Sequence, residues 1–416
     1  MKPVTPVLYE ERSVILDVLR GLALLGIIIA NTGGFSVFTF LEPAGQKALF
    51  THHTDPWIGY VLTAFVEGKF YSLFSLLFGI GFTIILERNK KAGRNSLVVF
   101  YRRVSILMLI GLAHCLLLWD GDILLLYGII GMVLPLFSKL RDKTLLVIAV
   151  VLIFSPLIFD LVKVMTQGRY NLSKPFEKLA IAIDTRNGIT PENWRTWLVK
   201  HNTYESILKW CQGSFFWRYQ FIIDSNRVPK VLAMFLLGLI AGRRMIYARL
   251  EENKWLLKKI LKWGLIIGVP ASIAFSYFQH DPRHLPEAAG LLDTLFYALS
   301  VIPLSLGYTA LICLLWLKPR WHTRLKTLAP AGRMALTNYL MQTILSISIY
   351  YGVGLGLGAK FGPTIYIPIA VAIYTLQVWY STMWLKYFQY GPFEWIWRQL
   401  TYWKKLPLRK PPIEFR

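Results

Sequence analysis

The sequence predicts an all-α fold in which about ten helices cross a membrane, with both termini in the cytoplasm. Of the 416 residues, 55% are hydrophobic and only 17% are charged, whereas a soluble globular domain carries about 25% charged residues. The apolar residues fall into runs of roughly 20, which is the length that a helix needs to cross a bilayer. Lys and Arg concentrate in alternate connections between those runs.

The composition also excludes several classes of protein. The chain is too apolar to be disordered, and its three cysteines are too few for a disulfide-framed secreted fold. The net charge of +23 is divided among short clusters, so we expect no continuous basic patch for a nucleic acid. The first apolar run contains Asp17 and Arg20 and lacks a small-residue cleavage site, so we expect it to be retained rather than removed as a signal peptide.

Ten apolar runs are predicted to be membrane-spanning helices. They are centred on 14–38, 63–86, 98–119, 122–138, 144–165, 229–246, 259–278, 290–317, 332–352 and 364–388. Basic clusters follow the second, fourth, sixth and eighth runs, and more basic residues fill the C-terminal tail. The positive-inside rule places these connections and both termini in the cytoplasm.

Residues 1–390 are predicted to form a single transmembrane domain. The segment at about 166–228 is expected on the outer face, where it either lies on the outer leaflet or covers a binding site. Residues 391–416 are predicted to form a cytoplasmic interfacial amphipathic helix and a basic tail, because aromatic and cationic residues alternate there. No internal repeat is visible, which disfavours a transporter built from inverted halves.

The strongest candidate for chemistry is a histidine followed by two carboxylates. His114 lies near the predicted outer end of the third run, and Asp120 and Asp122 follow it on either side of Gly121. A tight turn at Gly121 would let one carboxylate hydrogen-bond the imidazole and fix its tautomer, as in general base catalysis. A structural role for His114 is the alternative. No His and Cys residues have the spacing of a zinc site, so no metal is expected.

Polar residues inside predicted spans are costly unless they are paired or functional. Asp17 and Arg20 lie three residues apart and share a helix face, where they form either an anchoring pair or a buried anion site. Further candidates for substrate binding lie in or beside the predicted spans: Asn31, Lys69, Ser72, Ser75, Arg103, Arg333, Asn338, Tyr339 and Gln342.

Five arginines are predicted to face the cytoplasm from different connections. They are Arg102, Arg103, Arg243, Arg244 and Arg333. Arginine forks bind phosphate groups well, so these residues are candidates to recognise a phosphorylated ligand such as coenzyme A. Ordinary positive-inside charge is the alternative interpretation.

Motifs spread along nearly the whole chain are similar to those of a known family. They are LDVLRG at 16–21 with Asn31, KFYSLFSLLFG at 69–79, His114, WDGDIL at 119–124, GRMALTNYL at 332–340 and GPFEWIWR at 391–398. The chain therefore resembles the YeiB-like proteins, the family called domain of unknown function 418. This resemblance implies a multi-pass protein of the bacterial inner membrane, and it implies no particular activity.

A more distant resemblance implies an activity. The Leu-Asp-x-x-Arg-Gly start looks like that of transmembrane acyltransferases, including the acyltransferase type three proteins and the lysosomal heparan-alpha-glucosaminide N-acetyltransferase. These enzymes pass an acyl group from cytoplasmic coenzyme A to an acceptor on the far side. The type three enzymes have a catalytic His eleven residues after the motif Arg, where this chain has Asn31. The lysosomal enzyme has its catalytic His in the next loop, where this chain has His52 and His53.

Three functions follow from these patterns. The first is an acyltransferase that uses acyl-coenzyme A as co-substrate, with no tightly bound cofactor. Arg20 would help to hold that donor, and His114, supported by Asp122 or Asp120, would deprotonate an unidentified acceptor. The second is a proton-coupled transporter or exporter of a small anion or amphiphile, with His114 and Asp122 as the proton relay. The third is a non-catalytic membrane partner, and a homo-oligomer is left open in all three.

Overall fold

The computed structural model describes residues 13–91, 96–280 and 283–410. The helices are α1 Val14–Phe35, α2 Pro43–Lys47, α3 Asp55–Phe65, α4 Lys69–Lys91, α5 Ser96–Leu117, α6 Leu124–Val133, α7 Asp142–Met165, α8 Lys174–Arg186, α9 Trp197–Lys200, α10 Tyr204–Asp224, α11 Arg227–Arg243, α12 Lys254–Gln279, α13 Gly290–Trp316, α14 Pro319–Lys326, α15 Ala329–Arg333, α16 Ala335–Tyr350, α17 Pro363–Tyr387 and α18 Pro392–Tyr402. No β-strand occurs in these ranges, which confirms the all-α prediction. Residues 411–416 of the predicted basic tail lie outside the described residues.

Seven helical segments of the described chain are long and apolar enough to cross a membrane. They are Val14–Phe35, Asp55–Lys90, Ser96–Leu117, Asp142–Met165, Lys254–Gln279, Gly290–Trp316 and Pro363–Tyr387. Large apolar side chains stand on their outer surfaces, and Leu109, Val151 and Ile158 are each more than 60% exposed. Soluble proteins rarely expose so much contiguous apolar surface. The chain is therefore a multi-pass membrane protein.

The other three predicted spans coincide with shorter helices. After α6 the chain continues as a 3-10 segment, Leu134–Phe137, while α11 has 17 residues and α16 has 16. These lengths fall below the roughly 20 residues that a straight crossing needs. The second predicted run is also divided, because the chain turns at Gly68 with a φ of 80° between α3 and α4. Glycine adopts this left-handed conformation without a steric penalty.

Helix α1 lies at the centre of the bundle and is contacted by α4, α15, α16 and α17. We call the end of the bundle that holds the start of α1 the Val14 end, and the opposite end the Phe35 end. At the Val14 end, Gly332 of α15 lies directly against the backbone of Asp17. At the Phe35 end, the N–H of Ala359 donates to the carbonyl of Ser36 at 2.8 Å. The chain from α15 to the loop after α16 therefore runs from the Val14 end to the Phe35 end, and α16 contacts α1 on the way.

Helix α18 is docked against the Val14 end of the bundle. The Trp397 indole N–H donates to the carbonyl of Arg103 at 2.9 Å, and the Arg103 guanidinium lies 3.7 Å from the Trp397 ring. The buried Glu394 carboxylate accepts the backbone N–H groups of Leu336 and Thr337 at 2.6 and 3.0 Å, and also the Thr337 hydroxyl. Glu394 thereby caps the first turn of α16 from a distant part of the chain.

Helices α4 and α11 approach so closely that only glycine fits at their contact. A Cβ atom at Gly238 would overlap the carbonyl oxygen of Leu76, and one at Gly79 would overlap the carbonyl oxygen of Phe235. Small residues permit this close backbone approach between membrane helices, where van der Waals contact drives association. The pair α4 and α11 therefore forms a tight unit beside α1.

We expect Gly238→Ala to destabilise the protein, because its methyl group must push α4 and α11 apart, at a cost of about 1–3 kcal/mol. Gly81→Ala is the matched control on α4, since nothing lies within 4 Å of a Cβ atom there. The control should match or exceed the wild-type stability because alanine favours a helix. The measurement is the fraction of detergent-purified protein that stays monodisperse after heating. Equal melting midpoints for the two variants would contradict the close contact.

Glu394→Ala should also lower the melting midpoint, because it leaves two backbone N–H groups and one hydroxyl without an acceptor. Loss of a helix cap and burial of unpaired donors together predict a cost of about 2 kcal/mol. Glu252→Ala is the control, because the Glu252 side chain is 69% exposed and its removal should change stability by less than about 0.5 kcal/mol. The same heating assay compares the two, and an unchanged midpoint for Glu394→Ala would show that the cap is dispensable.

Candidate functional site

A cavity of about 620 Å³ lies near the Phe35 end, between α1, α3, α10, α11 and α17. Its volume is typical of a pocket for a small molecule. The wall follows α1 from Gly33 down to Gly26, which is about 10 Å along the helix axis. The polar side chains of the wall include Asn31, His52, Glu67, Arg218, Arg227 and Tyr339. Because α10 supplies Arg218, the segment at 166–228 forms part of this wall.

A hydrogen-bonded chain of three side chains lies immediately behind the wall. His114 Nδ1 is 2.9 Å from Asp122 Oδ2, and His114 Nε2 is 2.9 Å from Thr343 Oγ1. The other Asp122 oxygen accepts the N–H of Leu125 at 2.7 Å. Because a carboxylate only accepts, Nδ1–H donates to Asp122, and Nε2 shares the second hydrogen bond with the Thr343 hydroxyl. The arrangement is carboxylate, imidazole, hydroxyl.

The turn around Gly121 brings Asp122, rather than Asp120, to the imidazole of His114. Helix α10 holds this turn, because Arg218 Nη2 donates to the carbonyl of Asp122 at 2.9 Å and to that of Gly121 at 3.3 Å. Asp120 stands apart from the His114 ring, and loss of hydration raises the pKa of its carboxyl above the ordinary range. The catalytic roles of the three residues stay predictions.

The side chains of Tyr339 and Ile123 separate the cavity from the hydrogen-bonded side chains of Asp122, His114 and Thr343. Both residues line the cavity, and the Tyr339 hydroxyl accepts the N–H of Ile123 at 3.3 Å. The Tyr339 ring lies 5.3 Å from the imidazole ring. His114 is 2% exposed and Thr343 is 1% exposed, so neither touches the cavity in this arrangement. Only one layer of side chains stands between the imidazole and the cavity.

Of the predicted binding residues, Asn31 and Tyr339 line the cavity. Three others at the start of α4 bond to nearby carbonyl groups instead. The Lys69 ammonium is fully buried and donates to the carbonyl of Thr63 at 2.9 Å. Ser72 and Ser75 each donate to the backbone carbonyl four residues earlier, at 2.8 Å. These polar groups are therefore satisfied within the bundle.

The predicted binding residues at the Val14 end also bond to protein groups. Arg20 forms an ion pair with Asp17 at 2.7 Å, and the Arg20 side chain is 25% exposed. Arg333 donates to the carbonyl of Gln389 at 2.6 Å, and Arg103 rests on the α18 indole described above. None of these residues lines the cavity. The structure therefore does not bring them together with His114.

Asn338 and Gln342 belong to a buried layer of amides between the cavity floor and the Val14 end. Gln342 Nε2 donates to Gln377 Oε1 at 3.1 Å and to the carbonyl of Leu24 at 3.4 Å. Gln377 Nε2 donates to the carbonyl of Asn338 at 2.8 Å, and Asn338 Nδ2 donates to Ser381 at 2.9 Å. This amide layer joins α16 and α17 to α1 below the cavity.

Sequence reasoning missed Arg218 and Arg227, which the structure places in the cavity wall. A signal was present, because Arg218 directly follows Trp217 in a run that is otherwise mainly aromatic. An arginine in such a run is as typical of a buried functional charge as it is of an interfacial helix. His52, which entered only through the distant resemblance, also lines the cavity, and its Nδ1 lies 2.9 Å from the carbonyl of Leu49.

The fold and the cavity define a multi-pass helical membrane protein with a polar site enclosed near one end. The chain belongs to the family described as Protein of unknown function (DUF418), whose sequence profile matches residues 241–404. It is 32% identical over 422 aligned positions to the uncharacterized protein YxaH of Bacillus subtilis (strain 168), with 99% of each chain covered. It is 29% identical over 412 positions to the uncharacterized protein YeiB of Escherichia coli (strain K12), covering 94% of this chain and 96% of that protein. The YeiB-like resemblance is confirmed.

Proposed function

We propose that this protein is a membrane-embedded acyltransferase that moves an acyl group from cytoplasmic acyl-coenzyme A to an acceptor in the cavity. The observation that carries the proposal is the chain Asp122–His114–Thr343, with both hydrogen bonds at 2.9 Å. A carboxylate, an imidazole and a hydroxyl in this order are the arrangement by which acyl-transfer enzymes deprotonate a hydroxyl. The polar cavity on the other side of Tyr339 supplies the space for an acceptor.

In the proposed reaction Thr343 occupies the place of the acceptor hydroxyl. The acceptor enters as Tyr339 turns aside, and its hydroxyl replaces that of Thr343 at His114 Nε2. Nε2 takes the proton, while Asp122 holds Nδ1–H and stabilises the imidazolium. The acceptor oxygen then bonds to the thioester carbonyl carbon and the carbon–sulfur bond breaks. The sulfur leaves as the thiol of coenzyme A, and the proton returns from the imidazolium to it.

The assignment of acyl-coenzyme A as the donor rests on the resemblance of residues 16–21 to the start of the transmembrane acyltransferases. Arg20 lies six residues from the cavity floor at Gly26, which is about 9 Å along α1. The amide layer occupies this interval, so delivery of an acyl group from the Val14 end requires the layer to open. The donor-binding part of the proposal therefore includes a conformational step at Gln342 and Gln377.

The topology that we propose has ten crossings, with both termini in the cytoplasm of a bacterial cell. In this topology α6 with its 3-10 extension, α11 and α16 each cross the membrane once. Together with the seven candidate spans they make ten crossings in alternating directions. The positive-inside rule supports this orientation, because Arg103, Arg243 and Arg333 are all at the Val14 end. The cavity would then face the outer side of the bacterial inner membrane.

A second candidate function is proton-coupled transport, which a buried charged cluster beside the cavity favours. The buried Asp160 carboxylate accepts from Asn226 Nδ2 at 3.0 Å and from the Thr294 hydroxyl at 2.8 Å, and it pairs with Lys163 at 3.2 Å. Asn226 directly precedes Arg227 of the cavity wall. Buried ionisable groups of this kind mark proton pathways in transporters. Substrate movement that depends on the proton gradient, without consumption of a thioester, would identify this function.

His114→Ala should reduce acyl transfer at least 100-fold, because a positioned general base contributes that much or more. The measurement uses inside-out membrane vesicles from cells that overproduce the protein, supplied with acetyl-coenzyme A carrying a radiolabelled acetyl group. Label that enters the lipids and the vesicle contents reports transfer to native acceptors. His201→Ala is the control, since His201 bonds to the carbonyl of Trp197 and does not line the cavity.

Two further variants separate the alternatives within this test. Thr343→Val keeps the shape of the side chain and removes the hydroxyl, so transfer should be retained if Thr343 only occupies the acceptor position. Loss of transfer in Thr343→Val would make Thr343 the nucleophile. His52→Ala tests the other histidine of the wall. Full activity in His114→Ala together with loss in His52→Ala would overturn the assignment of the base.

The proposed orientation predicts which introduced cysteines are labelled from outside. The native Cys115, Cys211 and Cys313 are buried, so background labelling should be low. In right-side-out vesicles a membrane-impermeant maleimide should label Lys47→Cys at the cavity. Arg320→Cys, at the exposed start of α14, should be labelled only after permeabilisation. The reverse pattern would invert the topology.

A further inference from the structure

Two arginines of the cavity wall have no carboxylate partner among the residues that the structure describes. Arg218, on α10, donates only to the backbone carbonyls of the turn at 121–122, and its Nε atom is buried without a hydrogen-bond partner. Arg227 is the first residue of α11, and its guanidinium lies 5.0 Å from the Tyr71 ring and 4.7 Å from the Phe221 ring. The cavity wall therefore presents two guanidinium groups whose remaining N–H donors are available to a ligand.

Within the described residues, no surrounding carboxylate forms an ion pair with either arginine. Arg218 and Arg227 act on each other through space, and Asp120 and Asp122 attract Arg218, but Asp122 is already committed to His114. Elsewhere in the wall Glu67 and Asp55 are acidic and Lys47 is basic, and Asp55 accepts hydrogen bonds from the hydroxyls of Thr51 and Thr364. Cations that are removed from bulk water without a bound counter-charge are costly. An anion that enters between the two guanidinium groups would remove this cost.

We propose that the cavity binds a ligand that carries a phosphate group, held by Arg218 and Arg227, and that a ligand of this class with a free hydroxyl is the acceptor of the acyl group. The second half of this statement rests on the proposed function, and the first half does not. A phosphate monoester carries a charge of about −1.5 to −2 at neutral pH, which matches two guanidinium groups. The planar fork of each arginine fits two phosphate oxygens at once.

The rest of the wall indicates that the phosphate is attached to an apolar group. Ile27, Leu62, Val66 and Phe70 line the same cavity, whose volume of about 620 Å³ far exceeds that of a phosphate ion. The neighbouring helix α3 also exposes Trp57, which is 75% accessible. A large exposed aromatic residue beside the site is typical of a surface that meets lipid. The expected source of the phosphate is therefore a lipid headgroup.

The test measures the melting midpoint of the detergent-purified full-length protein with four probes, because a ligand of the folded state raises the midpoint in a saturable way. The probes are dioctanoyl phosphatidic acid, dioctanoyl phosphatidylcholine, glycerol 3-phosphate and inorganic phosphate. We expect phosphatidic acid to raise the midpoint most, and phosphatidylcholine of the same chain length to have little effect. Equal effects of glycerol 3-phosphate and phosphatidic acid would support the phosphate site and assign it to a water-soluble compound.

The matched variants are Arg227→Gln and Arg186→Gln. Within the described ranges the Arg227 guanidinium lies against aromatic rings and forms no ion pair, so its replacement should leave the unliganded midpoint near that of the wild type while it weakens phosphatidic acid binding at least tenfold. Arg186 is exposed on α8 and does not line the cavity, so Arg186→Gln should bind like the wild type. If no probe shifts the midpoint, or if Arg227→Gln binds phosphatidic acid as tightly as the wild type, the proposal is overturned.

These experiments test phosphate binding and acyl transfer independently of each other. His114→Ala should still bind phosphatidic acid, since His114 does not touch the cavity. Phosphate binding without acyl transfer from any donor would overturn the proposed function and leave the binding site standing. Acyl transfer without phosphate-dependent binding would overturn only the phosphate site.

Discussion

Each polar group inside this bundle has to find its partner within the protein, because the surrounding lipid offers none. In this structure several of these partners come from residues that are far apart in the sequence. Glu394 of the last helix caps α16, and Gln342 of α16 reaches the carbonyl of Leu24 on the central helix. The His114 ring is bonded at both nitrogens. Arg218 and Arg227 line the cavity and form no ion pair with a carboxylate among the described residues, which marks the cavity as the place for a ligand.

Hydropathy and charge were sufficient to predict the helical class and to locate the seven long apolar segments, whereas the 21-residue helix α10 lies outside the predicted runs. Local chemistry also predicted the pairing of His114 with a carboxylate, because Gly121 permits a turn within a few residues. The break at Gly68 was not predicted, since an apolar run of ordinary length gives no sign of where a helix ends. Short-range features such as a turn are encoded locally, whereas the length of a buried helix depends on the neighbours that pack against it.

Most of the predicted binding residues lie away from the cavity for a related reason. A polar residue in an apolar run can bond back to its own helix, as Ser72 and Ser75 do, and the sequence pattern is the same as for a residue that awaits a ligand. Arginines near the ends of helices likewise bind free carbonyl groups, as Arg333 does. Arg218 and Asn31 line the same cavity but lie in distant parts of the chain, so no single motif contains them both.

The amide layer has a consequence for the cell that carries this protein. In the proposed orientation the cavity would open to the outer side, and most of the potential across the bilayer would fall over the protein between the cavity floor and the Val14 end. The contacts from Gln342 to Leu24 and from Tyr374 to Gly21 close that part of the protein around the central helix. In the proposed orientation these contacts would separate the cavity from the cytoplasm.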